Sequence, residues 1–136
     1  MNKTFAMIKP DAIADKNFGN IIHLIEYNEF NILRLRYTNL SILEAEEFYH
    51  IHKEKSFFEE LIQYITSGPV VIMALEKTNA VDEWRKLIGS TNPSNAEVGT
   101  IRKMYGHSIG NNAVHGSDSD ENAQKELTFF FKDLSV

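Results

Sequence analysis

The chain has 136 residues, of which 43% are hydrophobic and 24% charged, a composition typical of a folded globular domain. It contains no cysteine, which excludes disulfides, thiolate metal sites and a cysteine nucleophile, and favours a reducing, cytoplasmic setting. The formal net charge of −5 argues against a nucleic-acid partner, because such a partner requires a basic face. No apolar run reaches membrane-spanning length, so the sequence predicts no membrane partner. A length of 136 residues is typical of one domain and predicts a single domain over residues 1–136.

The first half of the chain alternates β-branched segments with segments of helical periodicity. Lys9-Pro10-Asp11 ends the first strand, because proline cannot continue a strand ladder. The second strand places Leu35 and Tyr37 on a predicted buried face, opposite a polar face. A capping box of Ser41 and Glu44 opens the following helix. The other elements predicted here are strands over Thr4–Ile8 and Asn31–Leu40 and a helix over Gly19–Tyr27, with Asn20 as its cap.

The second half contains the clearest buried strand, Val70–Leu75, and one long irregular segment. From Gly89 to Asn112 no periodicity is evident, and so long a loop is typical of a functional segment. A very short strand at Ala113–His115 precedes the last helix, Asp118–Leu127, with Asp118 and Glu121 as its capping box. The order of elements predicts an α+β fold with a ferredoxin-like βαββαβ core, a four-stranded antiparallel sheet covered by helices. Two further helices are predicted, over Ser56–Ile65 and Ala80–Ile88.

Among the five histidines, His115 is the best candidate for a catalytic residue, because it lies between an apolar strand and the start of a helix. A neutral imidazole is a competent nucleophile, and the free N–H groups of a helix start favour an anionic transferable group. The alternative remains open that Ser117 and Asp118 only cap the helix and that His115 simply ends the strand. His50 and His52 are two residues apart, a spacing that does not place two zinc ligands on one helix face.

The segment Asn112-x-x-His115-Gly116-Ser117-Asp118 resembles the active-site signature of nucleoside diphosphate kinases. Further matches fall in the family's order over nearly the whole chain, namely Ile8-Lys9-Pro10-Asp11, Tyr49, Phe57-Phe58, Ser67-Gly68-Pro69, Gly89-x-Thr91-Asn92-Pro93 and Gly99-Thr100-Ile101-Arg102. On these motifs the chain is identified as a member of that family. The resemblance implies a ping-pong enzyme that moves the γ-phosphoryl of ATP, or of another nucleoside triphosphate, through a phosphohistidine to a nucleoside diphosphate.

The resemblance also implies roles for individual residues. His115 would be the phosphorylated nucleophile, and Glu126 and Ser117 would orient its ring. Phe57 would stack on the base, and Leu61 would line it. Because stacking does not depend on the hydrogen-bonding groups of a base, the enzyme would have broad base specificity. Magnesium would arrive with the nucleotide, without a permanent protein site, and Asp118 would face its water shell. The residues expected around the phosphates and ribose are Lys9, Tyr49, Arg85, Thr91, Arg102 and Asn112.

Four positions depart from the family's common pattern. Lys103 and Met104 follow Arg102 where a small residue and then an acidic one are common. Glu29 stands where many relatives have glycine, and Val98 stands where many have proline or alanine. The resemblance further implies a homo-oligomer, either a tetramer or a hexamer.

Two alternative functions remain open. One is a non-catalytic nucleotide-sensing module, which labelling of the protein by ATP would exclude. The other is a DNA-binding role, which the net charge of −5 disfavours.

Overall fold

The computed structural model describes residues 1–136. Four strands form one antiparallel sheet in the order β2-β3-β1-β4, with β1 at Lys3–Ile8, β2 at Asn31–Thr38, β3 at Val70–Glu76 and β4 at Val114–Gly116. Seven α-helices surround it: α1 (Pro10–Ala14), α2 (Phe18–Tyr27), α3 (Ile42–Phe48), α4 (Phe58–Ile65), α5 (Ala80–Ile88), α6 (Ile101–Tyr105) and α7 (Asp120–Phe130). Single 3₁₀ turns lie at His50–His52 and Pro93–Asn95. The predicted α+β fold with a ferredoxin-like sheet is confirmed.

The two central strands, β1 and β3, are buried on both faces of the sheet. Successive side chains of a strand point to opposite faces, so Phe5 and Met7 enter one core while Ala6 and Ile8 enter the other. Helices α2 and α5 supply much of the Ala6 core, and helices α3, α4 and α7 supply much of the Phe5 core. None of the helices combines the length and the apolar character that a bilayer crossing requires.

The short strand β4 fixes the backbone of His115 against the core. His115 lies opposite Met7 in the ladder with β1. The next residue, Gly116, has no room for a side chain, since a Cβ there would lie 2.9 Å from both Ile88 Cδ1 and Trp84 Cδ1. The Trp84 indole N–H also donates to the carbonyl of His115 at 3.2 Å. Helix α5 therefore holds the strand that presents the imidazole.

Two short helices were not predicted. Lys9-Pro10-Asp11 was expected to form a turn, yet Pro10 begins α1, because the first helical position needs no N–H donor. The segment 89–112 contains α6, which starts where Thr100 Oγ1 accepts a hydrogen bond from the Lys103 N–H at 3.3 Å. Ile101 in that helix is completely buried, so tertiary packing stabilises a helix too short to form alone.

The capping box of Ser41 and Glu44 is confirmed by both of its hydrogen bonds, at 3.0 and 2.9 Å. The predicted cap Asn20 is wrong, because α2 begins earlier, at Phe18. The predicted start of the last helix is also wrong. That helix begins at Asp120, because the Ser119 hydroxyl accepts from a backbone N–H of its first turn and caps it.

The edge strand β2 differs from its predicted burial. Leu35 and Tyr37, expected on a buried face, are 44% and 55% exposed. The pairing of β2 with β3 is interrupted by an irregularity between Ile32 and Arg34, which sequence alternation does not reveal. Side chains point to the faces of a sheet, so these two are exposed because no layer fully covers them. In addition, β2 lies at the sheet edge, and its outer backbone has no strand partner.

Candidate active site

The His115 side chain is held through one ring nitrogen and leaves the other unpaired. Its Nε2 lies 3.1 Å from Glu126 Oε1, and the same carboxylate oxygen accepts a hydrogen bond from the Ser117 hydroxyl at 2.5 Å. A carboxylate at Nε2 fixes the proton there and leaves the lone pair on Nδ1. The ring packs among Phe5, Phe48 and Tyr49, at centroid distances of 5.9, 5.4 and 6.4 Å.

Helix α7 brings Glu126 to the histidine. Its buried residues Ala123, Leu127 and Phe130 dock the helix on the sheet. Glu126 is adjacent to that buried face, and its side chain is 19% exposed, as is that of His115. The predicted trio of His115, Glu126 and Ser117 is thus brought together by the structure, over a sequence separation of only 11 residues.

Two of the three predicted cations, Lys9 and Arg102, are buried, whereas Arg85 is exposed. Lys9, Arg102 and Arg85 form no salt bridge with any carboxylate. Burial lowers the pKa of Lys9 to about 8, and the charge of Arg102 adds to that shift. Burial and the charge of Arg85 lower the pKa of Arg102 to about 10. The Arg102 guanidinium donates to the carbonyls of Gly89 and Val114 at 3.0 and 2.9 Å, while its buried Nε has no partner. The charge of Asp11 acts on Lys9 in the opposite direction, but without a salt bridge, so the positive charge at this site still favours an anionic ligand.

Asn112 links two of the other predicted residues. Its Oδ1 accepts a hydrogen bond from Lys9 Nζ at 2.9 Å, and its Nδ2 donates to the carbonyl of Thr91 at 3.0 Å. Asn112 is 2% exposed, whereas Thr91 is exposed. The long segment after α5 is in this way fastened beside the lysine, which agrees with the functional role that its irregular sequence indicates.

Buried polar atoms without partners line the cavity next to the imidazole. This His115 cavity has a volume of about 280 Å³, and its lining includes His115, Tyr49, His52, Asp118 and Glu126. The Tyr49 hydroxyl and His52 Nδ1 are buried without a hydrogen-bond partner, a state that is rare unless a ligand or water completes it. Burial raises the pKa of Tyr49, so its phenol remains a donor, and burial lowers the pKa of His52. From sequence, His52 has no predicted role beside His115, because its spacing from His50 only argues against a zinc site.

A second cavity, of about 470 Å³, is lined in part by aromatic and aliphatic side chains, which suit a flat apolar group. Phe57 is 46% exposed there, and its ring lies 5.7 Å from that of His52, so the two cavities adjoin. We call this the Phe57 cavity, and its lining includes Phe57, Leu61, Lys9, Tyr64 and Ile109. Ile109 and Tyr64 were not predicted, because only the folded chain brings the loop after α6 opposite α4.

No group of three histidine or acidic side chains is arranged to hold a metal ion. The exposed carboxylate of Asp118 lines the His115 cavity, and a hydrogen bond from Asn122 lowers its pKa. Lys103, which departs from the family pattern, points elsewhere, with its Nζ 3.5 Å from the carbonyl of Ser94 and with no part in either cavity.

A histidine with Nδ1 unpaired, the two buried cations Lys9 and Arg102 without a salt bridge, and an adjoining aromatic cavity together define a nucleotide-dependent phosphotransferase. The family model for "Nucleoside diphosphate kinase" matches residues 2–136. The chain therefore belongs to the nucleoside diphosphate kinase family. These kinases move the γ-phosphoryl of a nucleoside triphosphate to a nucleoside diphosphate by a ping-pong route.

Individual relatives agree with this assignment over 90% or more of their lengths. The chain is 48% identical over 136 residues to a nucleoside diphosphate kinase of Geobacter sulfurreducens, covering all of this chain and 99% of that protein. It is 49% identical to the enzyme of Chlamydia trachomatis, covering 96% of it. The solved kinase of Encephalitozoon cuniculi superposes with a TM-score of 0.94 at 39% identity, covering all of this chain and 94% of that one. The Halobacterium salinarum kinase, in complex with CDP, superposes with a TM-score of 0.93 at 34% identity, covering 98% and 90%.

Proposed function

We propose that His115 Nδ1 is the nucleophile of this kinase. Its lone pair attacks the γ-phosphorus, a P–N bond forms, and the bond from the γ-phosphorus to the β,γ-bridging oxygen breaks, releasing the nucleoside diphosphate. A β-phosphate oxygen of a second diphosphate then attacks the phosphohistidine, and the P–N electron pair returns to Nδ1. The observation that supports this assignment is the pairing of Nε2 with Glu126, which keeps the proton on Nε2 and balances the charge that the ring gains.

The surrounding donors would stabilise the transferring group. Phosphoryl transfer spreads negative charge over three equatorial oxygens, so fixed cations and donors contribute most of the catalysis. We assign this role to Lys9, Arg102 and Arg85, which form no salt bridge with a carboxylate, and to the unpartnered Tyr49 hydroxyl. Asn112 would hold Lys9 in place and, with Thr91, would contact the sugar and phosphates.

The nucleoside would occupy the Phe57 cavity. Phe57 would stack on the base, with Leu61 and Ile109 completing an apolar slot. Stacking on an aromatic ring does not distinguish one base from another, so purine and pyrimidine nucleotides should both be substrates. The presence of CDP in the halobacterial relative is consistent with a pyrimidine in this fold.

Magnesium fits this site as a companion of the nucleotide. Mg²⁺ usually keeps several waters and binds through substrate phosphates and one or two carboxylates. Asp118 is an exposed, ionised carboxylate at the His115 cavity and would face the water shell of such an ion. When bound, the ion neutralises phosphate charge, and the chain's own residues position the reacting groups.

The wider setting follows from the same features. We infer that residues 1–136 act as one catalytic domain and that the cysteine-free chain works in the cytoplasm. The net charge of −5 makes nucleic acid an unsuitable partner. Self-association, as a tetramer or a hexamer, would use the open edge of β2, where Leu35 and Tyr37 are exposed.

Labelling with γ-³²P-ATP tests the nucleophile. The wild-type protein should acquire an acid-labile, base-stable label that any nucleoside diphosphate removes. The His115→Ala variant should retain its fold and nucleotide binding but remain unlabelled. A folded wild-type protein that takes up no label would instead indicate a nucleotide-sensing module, and turnover of even a few per cent in His115→Ala would contradict the assignment.

A further inference from the structure

Asp11 is the residue of the Ile8-Lys9-Pro10-Asp11 motif that has no role so far. It lies in the first turn of α1, and its carboxylate accepts two hydrogen bonds from distant parts of the chain. The Tyr64 hydroxyl donates to Oδ1, and the backbone N–H of Ala113 donates to Oδ2 at 3.1 Å. These partners are 53 and 102 residues away in sequence. One carboxylate therefore joins α4 to the segment that enters β4.

Ala113 is held in a conformation that alanine rarely adopts. Its φ is +75°, and its side chain is completely buried. The carbonyl of Asn112 accepts from the Val114 N–H at 2.9 Å across it, and its own carbonyl accepts from the Lys9 N–H at 2.8 Å. A non-glycine residue with positive φ persists only when its surroundings impose it. The Asp11 carboxylate is one of those constraints, because it captures the Ala113 N–H.

This strained turn lies between two residues of the active site. Asn112, immediately before it, binds the Lys9 ammonium, and His115 follows two positions after it. A change at Ala113 would alter the direction in which the chain leaves Asn112 and enters β4. The relative position of the asparagine and the imidazole therefore depends on the turn.

The other partner of Asp11 belongs to the nucleoside side of the site. Tyr64 lies on α4 and lines the Phe57 cavity together with Leu61. Burial and the hydrogen bond to Asp11 raise the pKa of Tyr64, so the hydroxyl remains a donor throughout the working pH range. Its bond to Asp11 fixes one wall of that cavity relative to the residues around Lys9.

We infer that Asp11 is a positioning residue that couples the nucleoside cavity to the phosphoryl-transfer residues, with Tyr64 holding α4 and the Ala113 turn holding the strand of His115. The inference rests on the proposed role of His115. Asp11 touches neither nucleotide nor phosphate in this assignment. It acts through the two elements that it ties together, and its charge also raises the pKa of Lys9, an effect that Asp11→Asn removes while keeping both hydrogen bonds.

The test is the first half-reaction, in which ATP phosphorylates His115, measured by rapid quench for its maximal rate and its half-saturating ATP concentration. Tyr64→Phe removes only the α4 bond and should raise the half-saturating concentration about fivefold, with the maximal rate within about twofold of wild type. Asp11→Ala also frees the turn and should lower the maximal rate about tenfold. Tyr27→Phe and Asp82→Ala, at exposed positions, are the matched controls and should leave both quantities unchanged.

Two rescues separate positioning from general destabilisation. Asp11→Asn should recover to within about threefold of wild type, because its amide oxygen can accept from Ala113 while its NH₂ donates to Tyr64. Ala113→Gly, introduced into Asp11→Ala, should restore part of the maximal rate, since glycine adopts a positive φ without the carboxylate. Should Asp11→Ala fail to fold, Tyr64→Phe still tests the coupling to α4, and wild-type kinetics in that variant would then overturn the inference.

Wild-type kinetics in both Tyr64→Phe and Asp11→Ala would overturn the inference, as would an Asp11→Asn variant as slow as Asp11→Ala. Equal maximal rates for Asp11→Ala with and without Ala113→Gly would show that the turn is not the affected element. A wild-type protein that is never phosphorylated would instead refute the proposed role of His115, so the two failures are distinguishable.

Discussion

At the scale of single residues, Lys9 should respond to its ligand by gaining a proton. Its pKa of about 8 results from burial and from the nearby charge of Arg102, with Asp11 acting in the opposite direction. A polyphosphate next to the amine favours the charged form and raises that pKa. At pH 8 about half of the free protein has a neutral Lys9, so ADP binding should take up about half a proton. Because Lys9 is already charged in the free protein at lower pH, uptake at Lys9 should decline below pH 7.

Calorimetric titration of ADP in buffers of different ionisation enthalpy measures this uptake directly. Lys9→Arg is the matched control, because a guanidinium stays charged at pH 8 and has no proton to gain. Its uptake at pH 8 should be close to zero. The same uptake in wild type and in Lys9→Arg would show that another group titrates.

Phe57 should contribute equally to all nucleotides. Its half-exposed ring can stack on any base, and such stacking is worth about 1–3 kcal/mol. Phe57→Ala should therefore raise KM for ADP, GDP, CDP and UDP by similar factors, with little change in the maximal rate. Steady-state assays with each diphosphate provide the comparison internally. A loss restricted to purines would mean that the base is recognised by another contact.

The predictability of these residues depends on sequence distance. His115, Ser117 and Glu126 fall within one strand-to-helix segment, so local pattern and family resemblance suffice to relate them. Asp11 on α1 and Tyr64 on α4 meet only in the folded chain, and no spacing rule connects residues 53 positions apart. The position of His52 beside the His115 cavity was likewise not predicted, because the orientation of the 3₁₀ turn that contains it depends on how α3 packs.

At the scale of elements, helix α2 ends in a motif that its sequence does not favour. Glu29 has a φ of +67°, the Glu29 N–H donates to the carbonyl of Glu26 at 3.0 Å, and the Phe30 N–H donates to that of Ile25 at 3.2 Å. This pair of bonds is a Schellman ending, in which the left-handed position is normally glycine. The glycine that the resemblance implies for many relatives at this position would therefore have a structural reason, and the glutamate is strained.

Replacing Glu29 with glycine should stabilise the protein. A left-handed residue with a Cβ costs roughly 1–2 kcal/mol, part of which glycine returns as unfolded-chain entropy, so we expect a gain of about 1 kcal/mol. Glu29→Ala retains the Cβ and removes the charge, and it should leave stability nearly unchanged. Urea unfolding of the three proteins decides the matter. Equal gains in Gly and Ala variants would assign the effect to charge and not to backbone conformation.

Sequence periodicity predicts the longer helices of this fold and misses its two shortest helices for a consistent reason. The helices α2, α4 and α5 have apolar faces of two turns or more, which give a clear period. Helices α1 and α6 have five residues each, too few to show a period, and they depend on buried contacts such as that of Ile101. The exposure of β2 was missed because alternation reveals which residues share a face, and not whether a layer covers that face.

At the scale of the whole molecule, the open edge of β2 should be the site of self-association. An unpaired strand edge with exposed Leu35 and Tyr37 is a surface that soluble proteins normally cover or protect. Antiparallel pairing of two β2 strands about a two-fold axis would extend the sheet across both subunits, and Leu35, near the middle of Asn31–Thr38, would lie close to that axis. A charge there would face its own symmetry mate.

Leu35→Lys should therefore reduce the assembly to smaller species. Two ammonium groups brought together in an apolar interface repel each other and lose hydration, whereas one exposed lysine on a free subunit has no such cost. Light scattering coupled to size exclusion should show a lower mass for Leu35→Lys than for wild type. Ile42→Lys, on α3 at a site 62% exposed, is the matched control and should keep the wild-type mass. A wild-type protein that is monomeric, or a Leu35→Lys variant of unchanged mass, would show that the β2 edge is not the subunit interface.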